Sequence, residues 1–203
     1  MNKDILKLPN ILSLLRMIMA LVLYYLYVRS FQEPGFIGAL ALFLIYIVIA
    51  FTDFLDGIIA RKYDIVTELG KELDPMADKV LVFLMLFAFY RISLLPLWVI
   101  LPVFARDIFV NELRKRSKVH EITFKTSNLA KAKTAIQMIF IGFVLAIPVV
   151  MSWIDSESKL YNILADMVSG PTLLILMILI MVFTVYTGVD YWVKYKKAMK
   201  EIE

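Results

Sequence analysis

At 203 residues, 61% hydrophobic and with a mean hydropathy of +0.79, the chain is too apolar for a soluble domain. It reads as an all-α polytopic membrane protein, whose core forms by packing helices together rather than by burial from water. The net charge of +4 implies no nucleic-acid partner, and the absence of cysteine excludes a disulfide framework or a thiolate metal site. Length alone allows one domain or two, but no internal repeat or low-complexity segment interrupts the chain, and 1–203 is read as a single membrane domain.

Six apolar runs are long enough to cross a bilayer. The first covers about 10–28 and follows Pro9, a favourable residue at a helix start. Arg16 interrupts this run early and no small-x-small site follows, so it is expected to be retained rather than cleaved. Residues 29–35, RSFQEPG, form a polar connection with a Pro-Gly turn signal. The second run, 36–61, carries Asp53, Asp56 and Arg61 in its last turns, and the stretch 62–73 is polar and charged. The third, 73–90, starts where Pro75 would fall in the first turn and lose no intrahelical bond. Arg91, Ser93 and Pro96 mark a tight turn before the fourth, 95–113. A basic, mostly polar stretch over 111–133 leads into the fifth, 133–153. The loop 152–170 has a weakly apolar middle suited to lying on the membrane surface, and Pro171 opens the sixth run, 171–193, which continues into a basic tail.

Basic residues collect in alternate connections. One set holds Lys3 and Lys7; Arg61, Lys62 and Lys71; Arg114, Lys115, Arg116, Lys118 and Lys125; and Lys194, Lys196, Lys197 and Lys200. The other holds little beyond Arg29, Arg91 and Lys159. The positive-inside rule then places both termini, and the helix ends bearing Asp53, Asp56, Asp74 and Asp78, on the cytoplasmic side of a cell membrane. Tyr24, Tyr25 and Tyr27 suit one aromatic belt, and Tyr191, Trp192 and Tyr195 the other.

Those four aspartates are the chemical centre of the sequence. Asp53 and Asp56 are spaced i, i+3, and Asp74 and Asp78 i, i+4, so on helices each pair shares a face. A short cytoplasmic loop between the second and third helices would make these neighbours and bring the pairs together. Carboxylates gathered at a membrane are expensive unless protonated or matched by cations, and oxygen-only ligands favour hard ions such as Mg²⁺, Ca²⁺ or Mn²⁺. Two divalent cations would cancel four negative charges, which points to a two-metal phosphoryl-transfer centre. Solvated helix-end carboxylates are the plain alternative. Gly57 and Ala60 keep the same face open, or serve close helix packing, and Arg61 offers a planar fork for phosphate oxygens. Gly70 fits a turn.

Asp53-x-x-Asp56-Gly57-x-x-Ala60-Arg61, eight residues, then Gly70-x-x-x-Asp74-x-x-x-Asp78 resembles the CDP-alcohol phosphatidyltransferase motif at every fixed position. The resemblance implies that family's helical membrane fold, with two divalent cations, Mg²⁺ or Mn²⁺, held by Asp53, Asp56, Asp74 and Asp78. It makes Asp78 also the general base, places the diphosphate of CDP-diacylglycerol on the metals, and assigns CDP-diacylglycerol binding at the nucleotide end to Gly57, Ala60, Arg61 and Gly70. It further implies a homodimer among membrane lipids. Other stretches resemble the phosphatidylglycerophosphate synthase branch of the family: Pro9-Asn10-x-Leu12-Ser13-x-x-Arg16, Arg106-Asp107 and Ala130-Lys131-Ala132-Lys133-Thr134-x-x-Gln137. Ala130 stands for that branch's Gly, Asp107 for its Glu and Ser13 for its Thr. By this resemblance the acceptor alcohol is glycerol 3-phosphate, a dianion needing cations, and Arg106, Lys125, Lys131 and Lys133 are the candidates to hold it. Serine, an inositol phosphate or phosphatidylglycerol are alternative acceptors. Topology or lipid contact is the plain explanation for the lysines.

Intramembrane acids also mark ion pathways, but a transporter would place them near the bilayer midplane, commonly within inverted repeats. His120, the single histidine, reads as a solvated loop residue, and the eleven methionines as packing.

Overall fold

The computed structural model describes the backbone of residues 8–30, 35–62, 68–119 and 128–200, and the side chains of 11, 13–30, 35–52, 79–117, 129 and 132–200. All regular structure among them is helical: α1 (Leu8–Ser30), α2 (Phe36–Lys62), α3 (Glu68–Arg91), α4 (Leu97–Val119), α5 (Asn128–Met151), α6 (Lys159–Ser169) and α7 (Thr172–Lys200). In lipid a spanning segment must satisfy its own backbone donors and acceptors, so long apolar runs resolve as helices. Three described segments are long and apolar enough to cross a membrane, Ser13–Ser30, Ala132–Met151 and Thr172–Lys200, and Phe36–Thr52 is an apolar helix of shorter described length.

The turn expected at Arg91–Pro96 is present. Ser93 adopts a positive φ of 61°, and Val99 N–H donates to the Pro96 carbonyl as α4 begins. Ile175 N–H likewise donates to the Pro171 carbonyl at the start of α7. The helices overrun their apolar stretches. α3 begins at Glu68 rather than Leu73, which places Pro75 beyond the first turn, while α4 continues to Val119, α5 begins at Asn128 and α7 ends at Lys200. Within the expected loop 152–170, α6 adds an eleven-residue helix with no buried residues. The Ser158 hydroxyl caps it by accepting from Tyr161 N–H. Leu160, Ile163, Leu164, Met167 and Val168 recur at the i, i+3, i+4, i+7, i+8 spacing of an amphipathic surface helix.

The chain divides into two compact units. In the first, Met1–Ile92 with Phe140–Ala165, α1 packs on both α2 and α3. The buried face of α1 is Ser13, Arg16, Ala20, Leu23 and Tyr27, alternating steps of three and four. Tyr24 stacks on Phe87 and Tyr27 meets Phe89 edge-on at 5.6 Å, so α1 and α3 run parallel. Phe89 meets Phe140, and Gly142 on α5 lies against the Tyr46 ring, with Phe36 near Trp153. These last pairings make α2 antiparallel to α5.

In the second unit, Ser93–Ile139 with Asp166–Glu203, α4 packs along α7. Val110 and Leu113 bury against Tyr191, and the Arg114 guanidinium lies 5.7 Å from the Tyr191 ring centre. Arg106 lies against Gly188 one turn earlier on both helices, so α4 and α7 run parallel, with their basic C-terminal ends on one side. Burial inverts the soluble pattern: Ile18, Leu21, Leu179 and Val182 are exposed, whereas Ser13, Arg16, Lys133, Gln137, Thr184 and Thr187 are buried. Polar groups placed inside a bundle avoid hydrocarbon, and apolar ones face it.

Candidate functional site

Asp53, Asp56, Gly57, Ala60 and Arg61 occupy the last turns of α2, and Gly70, Asp74 and Asp78 the first half of α3. The i, i+3 and i, i+4 spacings therefore fall on continuous helices, as their chemistry requires. The side chains of these residues lie outside the described set, as does that of Lys131 on α5, and Lys125 lies outside the described residues altogether. Among the described side chains no group of three or more metal-ligating residues occurs.

The second unit brings the other candidates together. Arg106 on α4 and Lys133 on α5 meet at one carboxylate, that of Asp107. Lys133 Nζ donates to both Asp107 oxygens at 2.7 Å, and Arg106 Nη1 donates to Oδ1 at 2.9 Å. One helical turn beyond Lys133, Gln137 donates to the Thr184 hydroxyl on α7 at 3.2 Å, and Thr187 donates back to the Thr184 carbonyl at 2.7 Å. Buried amides and hydroxyls are costly without partners, and these bonds tie α5 to α7 beside the cations. Gly188 lets Arg106 through: a Cβ there would stand 2.7 Å from Arg106 Cγ. Arg106, Gly188 and Trp192 also line an open groove of about 610 Å³ between α4 and α7, whose other walls are apolar.

The CDP-alcohol phosphatidyltransferase family model matches residues 6–195, nearly the whole chain. The chain belongs to the CDP-alcohol phosphatidyltransferase family. Among curated relatives, it is 34% identical to a CDP-diacylglycerol–glycerol-3-phosphate 3-phosphatidyltransferase of Rickettsia bellii, covering 94% of this chain and 96% of that one. A protein of the same name from Bacillus subtilis is 31% identical, covering 77% and 74%. A cardiolipin synthase (CMP-forming)/mitochondrial hydrolase fusion protein of Schizosaccharomyces pombe is 30% identical, covering 73% of this chain and 27% of its own length.

This phosphatidyltransferase is thus a membrane enzyme whose motif lies on α2 and α3 and whose buried cations lie in the second unit. Sequence reasoning found Arg106 and Lys133 but treated Asp107 only as a departure from Glu and gave Gly188 no role. Its one available signal for Gly188 was a glycine inside an apolar helix, which also fits plain helix packing. Gly188→Ala should displace the Arg106 side chain without removing its charge. If Arg106 holds the phosphate of the acceptor, the expected result is a KM for that acceptor raised by roughly tenfold, with kcat changed less, read from initial rates of CMP release. An unchanged KM would return Gly188 to packing.

Proposed function

We propose that this enzyme transfers the phosphatidyl group from CDP-diacylglycerol to glycerol 3-phosphate, giving phosphatidylglycerophosphate and CMP. The observation that carries this reading is the pair of buried cations, Arg106 and Lys133, joined through Asp107. A buried cluster with more positive than negative charge suits an anionic acceptor such as a phosphate monoester and gives a neutral one such as serine no advantage. The near full-length similarity to a relative named for glycerol 3-phosphate supports the same acceptor.

Asp53, Asp56, Asp74 and Asp78 would hold two divalent cations, Mg²⁺ or Mn²⁺. When bound, such cations supply Lewis-acid stabilisation to the diphosphate and the departing CMP oxygen. Gly57 and Ala60 leave room for the nucleotide at α2, Arg61 binds phosphate oxygens, and Gly70 belongs to the same segment. Arg106 and Lys133 hold the phosphate of the acceptor, with Lys131 and Lys125 adding positive charge. Asp78 accepts the proton of the acceptor hydroxyl as that oxygen bonds to the β-phosphorus of CDP-diacylglycerol and CMP leaves.

Six crossings with both termini and the aspartates cytoplasmic fit the helix directions: α1 runs parallel to α3, α2 antiparallel to α5 and α4 parallel to α7, as alternation requires. α6 then lies on the opposite surface, between the fifth and sixth crossings. A single domain is supported by a family match that spans both units, and the protein is read as a homodimer in a cell membrane.

A second reading keeps the chemistry and changes the acceptor, to phosphatidylglycerol, serine or an inositol phosphate. The relative named as a cardiolipin synthase favours keeping it in view. CMP release by purified protein with CDP-diacylglycerol and a panel of these alcohols separates the two. Glycerol 3-phosphate should be the best acceptor, and its failure beside a working alternative would overturn the assignment.

A further inference from the structure

Asp107 is shared by two cations in a place where one would suffice. Its carboxylate accepts from Lys133 at 2.7 Å through both oxygens and from Arg106 at 2.9 Å through Oδ1. The side chains are 15% exposed for Asp107, 5% for Lys133 and 9% for Arg106. A purely structural ion pair would balance its charges, because taking ions out of water is expensive. Among the described residues this cluster is left with one net positive charge. Arg106 Nε is also buried with no hydrogen-bond partner among the described residues, and a buried donor of that kind asks for an acceptor.

The cluster is held from three helices. Asp107 neighbours Arg106 on α4, Lys133 comes from α5, and Gly188 on α7 backs the Arg106 stem. The Arg106 side chain is therefore held at Nη1 by the carboxylate, and its stem passes close to Gly188 at Cγ. Without the carboxylate, the two cations would repel, and the flexible Lys133 stem would swing away.

We infer that Asp107 is a positioning residue: it presets Arg106 and Lys133 as a pair for the phosphate monoester of the acceptor, and it lowers their joint charge from two to one so that product phosphate is released. This rests on the acceptor assignment proposed above. Asp107 does not touch substrate; it acts through the two cations. Preorganised donors lose less freedom on binding than donors that must be gathered, so removal of the carboxylate acts on acceptor affinity above all.

The test measures KM for glycerol 3-phosphate and for CDP-diacylglycerol separately in purified protein. Asp107→Asn should raise the first by about 10- to 100-fold, the loss of a charge-assisted contact, and leave the second within about twofold. Asp107→Glu, which keeps the charge, should stay within about threefold of the parent for both. A merely structural residue would lower melting temperature and yield while leaving the KM of the folded fraction unchanged, and that outcome overturns the proposal. If Asp107→Asn does not fold, the doubly neutral Asp107→Asn/Lys133→Met variant leaves no buried acid beside a lost cation. Because Asp107 still orients Arg106 when Lys133 is gone, the double variant should raise the KM for glycerol 3-phosphate at least about threefold above Lys133→Met alone, and a smaller ratio overturns the proposal. The acceptor assignment fails separately: the parent protein would then release no CMP with glycerol 3-phosphate while another alcohol of the panel works.

Discussion

Asp78→Asn should stop turnover while leaving a folded, membrane-inserted protein that still binds CDP-diacylglycerol. Asn matches Asp in shape and keeps one oxygen, but it cannot accept the proton of the attacking hydroxyl. Loss of a general base costs typically 10²–10⁴-fold in rate, so kcat for CMP release should fall by about that factor, with KM for glycerol 3-phosphate within about twofold of the parent. Asp78 lies at the point where α3 turns from the charged stretch 68–78 to the apolar run that packs on α1, so inward of it the helix is carried by Leu81, Val82, Met85 and Phe89. That packing makes insertion independent of the Asp78 charge, which gel-filtration profile and melting temperature will check. A variant within tenfold of the parent rate would remove Asp78 as the base.

The aspartate motif was legible in sequence because its chemistry is written locally, within one turn on each helix. The helix ends were not. Apolar runs mark where the bilayer lies, whereas the hydrogen-bonded helix continues for as long as its residues favour it. Glu68, Leu69, Lys71, Glu72 and Leu73 are good helix formers that read as a polar connection, and so α3 begins before its apolar run. Lys131 before the fifth run, and Lys196, Lys197 and Lys200 after the sixth, extend α5 and α7 for the same reason. α6 was hidden by its length: eleven residues cannot cross a bilayer, and only the Ser158 cap and the Leu160–Ile163–Met167 stripe signal a helix.

The Arg106–Asp107–Lys133 cluster shows a different limit. Asp107 and Lys133 lie on separate helices, and no periodicity in either predicts that both Asp107 oxygens are taken by one ammonium. Gly188 lies further along still, and its importance comes from the approach of Arg106 rather than from any feature of α7. Gln137 had a place in the motif but no partner in sequence, and the fold supplies Thr184. In each case the informative residue is a partner, and partners across helices are fixed by tertiary packing.

Exhaustive chelation should abolish CMP release and also lower the melting temperature of the enzyme, with both restored by Mg²⁺ or Mn²⁺. Carboxylates at i, i+3 or i, i+4 have Cβ atoms roughly 5–6 Å apart. At an effective dielectric near 20, each like-charged pair then costs about 3 kcal/mol. The pairs Asp53/Asp56 and Asp74/Asp78 carry that repulsion when bare, and a bound divalent cation converts it to attraction. A ligand held only by the folded state at a hundred times its Kd stabilises it by about 2.7 kcal/mol, so the metal dependence of melting is a readout separate from catalysis. Changing all four aspartates to Asn should raise the melting temperature of the metal-free protein, by relieving the same repulsion, and make it indifferent to Mn²⁺. Catalysis persisting after chelation, or a metal-dependent melting temperature surviving in the fourfold variant, would place the cations elsewhere and leave these carboxylates as solvated helix ends.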